Sequence, residues 1–275
     1  MQRKQKTIDS YLQKDKAEPQ GYEEAPSIDI SKSAEGAPYD NLIPLVISDE
    51  NIDTALEHVV KNRGSPGVDG MSVHELGIWI KSHREELQDA IEFGNYMPSP
   101  VRRKEIPKDN GTMRNLGIPT VKDRLVAQMI NQVLSQIYEP TFSDSSFGFR
   151  AGRSPIDAVN LEKEYYDQGY RYAVGIDLEK FFDHLNQQFL MNILRERIKD
   201  RVLILLIKRF LRAGVVLPNG ILEATYEGSP QGSPLSPLLS NIYLDKFDKE
   251  FEGRGVRVIR YADDILLLAR SIRAA

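Results

Sequence analysis

Val258-Ile259-Arg260-Tyr261-Ala262-Asp263-Asp264-Ile265-Leu266-Leu267-Leu268 is an apolar, β-prone run interrupted by two adjacent acids. Such runs belong inside sheets, and a carboxylate in a dry place is costly unless a cation or hydrogen bonds compensate it. Read as a hairpin, the run has strands at Val258 to Tyr261 and Ile265 to Ala269. The turn between them presents the acids at one lip of a sheet. Taken alone, an Asp-Asp surface turn is the simpler account, because Asp is a common turn residue.

A second stretch changes the balance. Tyr172-Ala173-Val174-Gly175-Ile176-Asp177-Leu178-Glu179-Lys180-Phe181-Phe182-Asp183 is again an apolar strand that ends on an acid. Carboxylate oxygens on two neighbouring strand ends form a hard-ligand set suited to Mg²⁺, which is usually held by one or two carboxylates plus substrate phosphates. Two such ions about 3.5 to 4 Å apart activate an attacking 3′-hydroxyl and stabilise a leaving pyrophosphate. That chemistry is nucleotidyl transfer.

With Ser229-Pro230-Gln231-Gly232-Ser233-Pro234-Leu235-Ser236-Pro237 between them, these stretches resemble the reverse transcriptases encoded by group II introns, the intron maturases. The resemblance runs from about Asn51 to the last residue, in the family's order. It includes Asn62-Arg63-Gly64-Ser65-Pro66-Gly67-Val68-Asp69-Gly70, then Ile106-Pro107-Lys108 with Arg114-Asn115-Leu116-Gly117-Ile118-Pro119-Thr120, then Phe147-Gly148-Phe149-Arg150. Retron and diversity-generating reverse transcriptases share the acids, but the glycine-rich loop and the Ser-Pro-Gln-Gly run fit intron enzymes better.

The resemblance implies an RNA-directed DNA polymerase that copies intron RNA from a DNA primer and uses deoxynucleoside triphosphates. Asp177, Asp263 and Asp264 would be its catalytic metal ligands for two Mg²⁺, with Mn²⁺ able to substitute. Lys108 and Arg114 match residues that hold the incoming triphosphate, a role that suits an ammonium and a forked guanidinium. Phe182 matches the ring under the sugar that clashes with a ribose 2′-hydroxyl, leaving Phe181 buried. Gln231 would lie beside the nucleotide. A right-hand fold of α+β class is expected, with helix-rich fingers and an antiparallel palm sheet. The chain ends 11 residues after Asp264, where the family continues into a thumb, so the expectation is a fingers–palm portion with the thumb absent.

Composition sets the outer bounds. Without Cys, disulfides, thiolate metal sites and cysteine nucleophiles are excluded. The apolar runs are far shorter than a membrane span and the N-terminus is polar, so a cytoplasmic protein with no membrane partner is expected. The net charge of −4 hides a local positive excess. Residues 1–60 hold 6 Lys+Arg against 12 Asp+Glu, whereas residues 101–124 hold 7 against 3.

In chain order, residues 1–44 lack an apolar period and are expected to be a disordered tail. Residues 45–100 form an N-terminal extension of the fingers: a helix from Ser48 stopping at Gly64, a tight glycine loop, and a second helix opened by the Ser72/Glu75 capping box and reaching about Glu92. In the family this region lies over the template strand, which makes Gly64 and Gly67 candidate template contacts. An ordinary helix–loop–helix explains the helices equally well.

Residues 101–170 are read as fingers, with a hairpin turning at Asp109-Asn110-Gly111 whose Arg102 and Lys104 read as solvated, and a core helix capped by Thr120. Phe147 and Phe149 read as core, while Arg150 and Arg153 are candidates for backbone phosphate contacts. Residues 171–275 are read as palm. His184 reads as a loop or capping residue, Arg195 to Gly214 as a helix pair, and Val215 to Glu227 as a β-prone run.

A binding protein that holds intron RNA for splicing, or a remnant without polymerase activity, is the alternative reading. In the tail, Gln5, Ile8, Tyr11 and Leu12 have the spacing of a peptide that docks on a sliding clamp, so a clamp is a candidate partner through Gln5–Leu12.

Overall fold

A computed structural model of the chain describes residues 39–107 and 113–274. They divide into two compact units: Phe142–Glu179 with Leu244–Ala275, and Lys180–Tyr243 with the described part of residues 25–141. The class is α+β, with a helix-rich unit and an antiparallel sheet carrying the acids, as the sequence led us to expect. No helix among the described residues is long and apolar enough to cross a membrane.

The larger unit begins with α1 (Ile43–Val46), α2 (Asp49–Lys61) and α3 (Val73–Glu92), followed by β1 (Val101–Pro107), β2 (Met113–Ile118) and α4 (Val121–Tyr138). Helix α4 is its centre. Thr120 caps it, accepting from the Asp123 amide at 3.1 Å. Its stripe of Val121, Leu125, Val126, Met129, Ile130, Val133 and Leu134 is 0% exposed. Burying one such side chain is worth about 1.5–3 kcal/mol, so this stripe dominates the unit's stability. A polar knot locks α2 against it: Asn51 donates to the Met129 carbonyl at 3.0 Å, and Gln132 donates to Asn51 Oδ1 at 2.6 Å.

Ser48 caps α2 as predicted, but the left-handed residue that ends it is Arg63 (φ 52°) and not Gly64. Gly67 is there for closeness, since a Cβ on it would lie 2.6 Å from the Thr120 backbone, whereas one on Gly64 would meet only the end of the Arg124 side chain. Arg102, predicted to be solvated, donates to the Pro66 carbonyl at 2.7 Å and helps seat the same loop. The Ser72/Glu75 capping box opens α3, which breaks at His83. There Trp79 stacks on His83 with centroids 4.8 Å apart, and Lys122 Nζ lies 4.7 Å from the Trp79 ring centre.

β1 and β2 form the predicted antiparallel hairpin, in register from Arg102↔Ile118 to Pro107↔Met113. Its turn lies outside the described residues. Of the β-prone run after Val215 only β4 (Val215–Val216) and β5 (Leu222–Glu223) are strands, because the chain turns at Asn219-Gly220, where Gly220 has φ 84°. The sheet order is β2-β1-β4-β5, with β4 parallel to β1.

The predicted helix pair starts earlier than Arg195, at α7 (Gln187–Arg197), because Asn186 supplies the cap; α8 (Arg201–Leu211) follows it. Residues 39–44, expected to belong to a disordered tail, instead dock here. Tyr39 bridges to Ile198, and one oxygen of Asp200 accepts from Leu42 and Ile43 while the other caps α8 through Val202 and Leu203. The tail's remaining residues, including Gln5 to Leu12, lie outside the described chain.

In the smaller unit β3 (Tyr172–Asp177), β6 (Arg257–Tyr261) and β7 (Asp264–Ala269) form a sheet of order β3-β7-β6. Helix α5 (Pro155–Asp167) opens with Ser154 as cap and proline first, and packs on it. Phe147, Ala158, Ile259 and Leu268 make the core, flanked by Leu161, Tyr165 and Tyr261. The second half of α9 (Ser236–Gly253), from Leu244, belongs to this unit. Asp200→Ala should cost about 2–4 kcal/mol by urea unfolding, the sum of a lost cap and newly orphaned buried amides, and Asp200→Asn distinctly less.

Candidate active site

The acids gather at one end of the smaller unit's sheet. Asp177 closes β3 and Asp264 opens β7, and the ladder pairs them directly. Tyr261 also pairs with Asp264, which leaves Ala262 and Asp263 as a two-residue turn. Like charges set opposite each other across a ladder repel, so this position favours a cation. Asp177 and Asp264 are exposed and Asp263 is half-buried. That is wetter than an apolar strand implies, because β3 is an edge strand and the acids sit at strand ends. Among the described residues no three His, Asp or Glu side chains are grouped as a metal cage.

The turn is firmly supported. Ala262 has φ 57°, a conformation that two-residue hairpin turns usually give to glycine. A Cβ on Gly148 would lie 2.1 Å from the Ala262 nitrogen, so the Phe-Gly-Phe-Arg loop needs its glycine to let the turn's backbone in. The same loop pairs with β6 through Arg260 N to Ser145 O and Phe147 N to Arg260 O, each 2.8 Å. Beneath lies Arg260, whose Nε is 2.9 Å from each carboxylate oxygen of Asp248, with both side chains 0% exposed. Burial pushes the Asp248 carboxyl above its ordinary range, while the Arg260 guanidinium pulls the other way. Neither Arg260 nor Asp248 was singled out in the sequence. The available signal was a charged residue at an interior strand position, between Ile259 and Tyr261.

In the larger unit a cleft of about 330 Å³ is lined by Phe182, Lys180, Asp183, Gln231, Arg103 and Asn115, among others. Phe181 is buried at 8% exposure, and Phe182 is the ring that lines the cleft. Close backbone packing places it. A Cβ on Gly228 would lie 2.6 Å from the Asp183 carbonyl, and the Ser229 amide donates to the Phe182 carbonyl at 2.7 Å. Gly232 (φ 111°) abuts the Gly117 carbonyl, and the Gly117 amide donates to the Gln231 carbonyl at 2.7 Å, so the Ser-Pro-Gln-Gly loop rests on the end of β2. His184 also lines the cleft, 3.5 Å from Glu227. Arg103 and Lys180 were not anticipated here; alternation along β1 placed Arg103 no better than its neighbours.

The structure does not bring every candidate to a site. Lys108 lies outside the described residues, and Arg114 stands in β2 opposite Ile106. Arg150 is 6% exposed and spends its guanidinium on the Ser143 and Ser146 carbonyls, at 2.7 and 2.8 Å. That internal task corrects the expectation of a phosphate contact, since the loop's buried carbonyls need those donors. Arg153, more exposed, pairs with Asp144 at 2.8 Å. Gly67 has the packing reason given above.

Residues 106–275 match the family described as reverse transcriptase (RNA-dependent DNA polymerase). Among relatives, the protein YkfC of Escherichia coli (strain K12) is 35% identical over 219 residues, covering 78% of this chain and 57% of that protein. The group II intron-encoded protein LtrA of Lactococcus lactis subsp. cremoris is 42% identical over 166 residues, covering 60% of this chain and 27% of that one. Among solved structures, a partial Cas6-RT-Cas1–Cas2 complex overlaps 84% of this chain and 39% of the matched chain, with a TM-score of 0.50 at 24% identity, a likeness of fold. The chain belongs to the reverse transcriptase family. It spans little more than half of the first of these relatives and about a quarter of the second.

Gly148→Ala should displace the Ala262 turn, because the new methyl meets backbone and not a yielding side chain. A loss of about 1–3 kcal/mol on thermal unfolding is expected, the usual cost of overpacking.

Proposed function

We propose that this chain is the nucleotide-adding portion of a group II intron reverse transcriptase, copying intron RNA into DNA from a DNA primer, with a further part in intron splicing. The observation that carries the reading is the convergence of Asp177, Asp263 and Asp264 on one end of two neighbouring strands. Their donor set is all hard oxygen, which fits Mg²⁺ completed by substrate phosphates. Such ions, when bound, lower the barrier by activating the 3′-hydroxyl and stabilising the leaving pyrophosphate. The turn then serves to hold the Asp263 carboxylate at a fixed place, and the ladder to hold Asp177 and Asp264 side by side.

The cleft beside Phe182 suits the nucleotide. Phe182 offers a flat ring to the sugar, Gln231 sits in the loop beneath, and Arg103 and Lys180 add positive charge for phosphate. Lys108 and Arg114 remain the proposed triphosphate contacts. Arg153, the more exposed of the two loop arginines, is the proposed template contact, with the loop at Gly64 and Gly67. A sliding-clamp contact through Gln5 to Leu12 is a separate proposal that rests on the sequence alone.

Primer extension on an RNA template with Mg²⁺ tests the reading. Asp177→Ala, Asp263→Ala or Asp264→Ala should each lower nucleotide addition by about a thousandfold or more, the scale of several kcal/mol of charge stabilisation. Asp263→Asn should leave RNA binding nearly intact; activity surviving these changes would sink the metal assignment. Phe182→Ala should raise ribonucleotide incorporation relative to deoxynucleotides, measured by competition, while Phe181→Ala should act on stability. RNA affinity should fall steeply with salt despite the acidic balance, because it follows local phosphate contacts.

A further inference from the structure

Arg260 is fully buried, and its guanidinium divides its donors between an ion pair and the acidic turn. Its Nε bonds both oxygens of Asp248 at 2.9 Å, Nη2 reaches Asp248 Oδ2 at 2.8 Å and Ser146 Oγ at 2.7 Å, and Nη1 donates to the Ala262 carbonyl at 2.9 Å. All three partners lie in the smaller unit. A buried ion pair is a poor source of stability, since desolvation offsets most of the attraction, and replacing both partners with apolar groups is often neutral. What this pair delivers is direction. Asp248 grips one edge of the planar fork, which aims Nη1 at one carbonyl of the acidic turn.

That carbonyl matters because the peptide unit is planar. Fixing the Ala262 oxygen fixes the plane that contains the Asp263 nitrogen and Cα, the atom from which the Asp263 side chain departs. Gly148 presses on the other side of the same residue, at the Ala262 nitrogen. Ala262 is thus held at both its amide and its carbonyl in a backbone conformation that alanine does not favour unaided.

We propose that Arg260 is a positioning residue for the metal-binding turn: locked by Asp248, it sets the orientation of Asp263 through the Ala262 carbonyl. This rests on the reading of Asp263 as a metal ligand. A lysine, with one compact ammonium, cannot reach Asp248, Ser146 and Ala262 together.

The test uses the chain with Arg260→Lys, the apolar pair Arg260→Met with Asp248→Leu, and Asp248→Asn. Three quantities are read: thermal unfolding, Mn²⁺ binding by electron paramagnetic resonance, and the kcat and KM of single-nucleotide addition. The apolar pair should fold, yet lose Mn²⁺ affinity and kcat by about 10- to 100-fold, the usual effect of removing a ligand's support, with KM for the nucleotide changed by less than about threefold. Arg260→Lys should not rescue it. Should the apolar pair fail to fold, Asp248→Asn decides, because it keeps the shape and the acceptor but loosens the grip: a loss of about 3- to 10-fold in Mn²⁺ affinity is expected. Folded variants with the parent's Mn²⁺ affinity and kcat overturn the proposal. Asp263→Asn separates the two claims. Unchanged Mn²⁺ binding there retires the metal reading and this proposal with it, whereas loss there with none in the Arg260 variants overturns the positioning role alone.

Discussion

A two-residue turn that must place a carboxylate at the lip of a sheet leaves the chain little freedom. The first residue of that turn, Ala262, adopts a positive φ, a state that costs an L-residue about 1–2 kcal/mol. The surroundings supply what the turn lacks. A bare Cα at Gly148 admits the backbone, the bridge from Ser145 to Phe147 pins β6, and a fully buried guanidinium holds the turn's carbonyl. Phe-Gly-Phe-Arg is therefore one half of a backbone-to-backbone joint, with the acidic turn as the other half. Arg150 belongs to the same joint, because its bonds to Ser143 and Ser146 keep that loop in shape.

The larger unit uses the same device. Gly67 against Thr120, Gly228 against Asp183 and Gly232 against Gly117 are each places where a Cβ would strike main chain within 2.6 Å. Main chain does not yield as a long side chain does, so these contacts fix loops to helices and strands without demanding a large apolar core beneath each loop. The cleft beside Phe182 results from two of them: one sets the height of the Phe182 segment, the other seats the loop bearing Gln231.

What could be read in the sequence was what local chemistry dictates. Caps at Ser48, Ser72 and Thr120 gave the helix starts, because a side-chain oxygen three residues before an amide is a local matter. The acids and the hairpin strands followed from alternation and spacing, while the assignment of Phe181 as the buried ring came from the family resemblance. Partners far apart in the chain did not show. Arg260 and Asp248 are 12 residues apart on different elements, and Arg260 and Ser146 are 114 apart. Asp200 gathers residues 39–44 into the fold over a separation of 158, which no local pattern announces. For the same reason Arg150 looked like a surface cation, since its carbonyl partners become visible only when the loop closes.

Trp79 is the only tryptophan in the chain, and it lies in α3 of the larger unit, stacked on His83 with the Lys122 ammonium over its ring. The sheet that carries the acids is instead rich in tyrosine, with Tyr165, Tyr170, Tyr172 and Tyr261 in or against it. Excited at the red edge of its absorption, the protein therefore emits from one unit only. The stacked His83 ring and the Lys122 ammonium set the surroundings of that indole, so its emission should change when the α3 kink opens. The helical unit thus carries its own built-in clock, and its loss of structure can be timed apart from that of the sheet without attaching any dye.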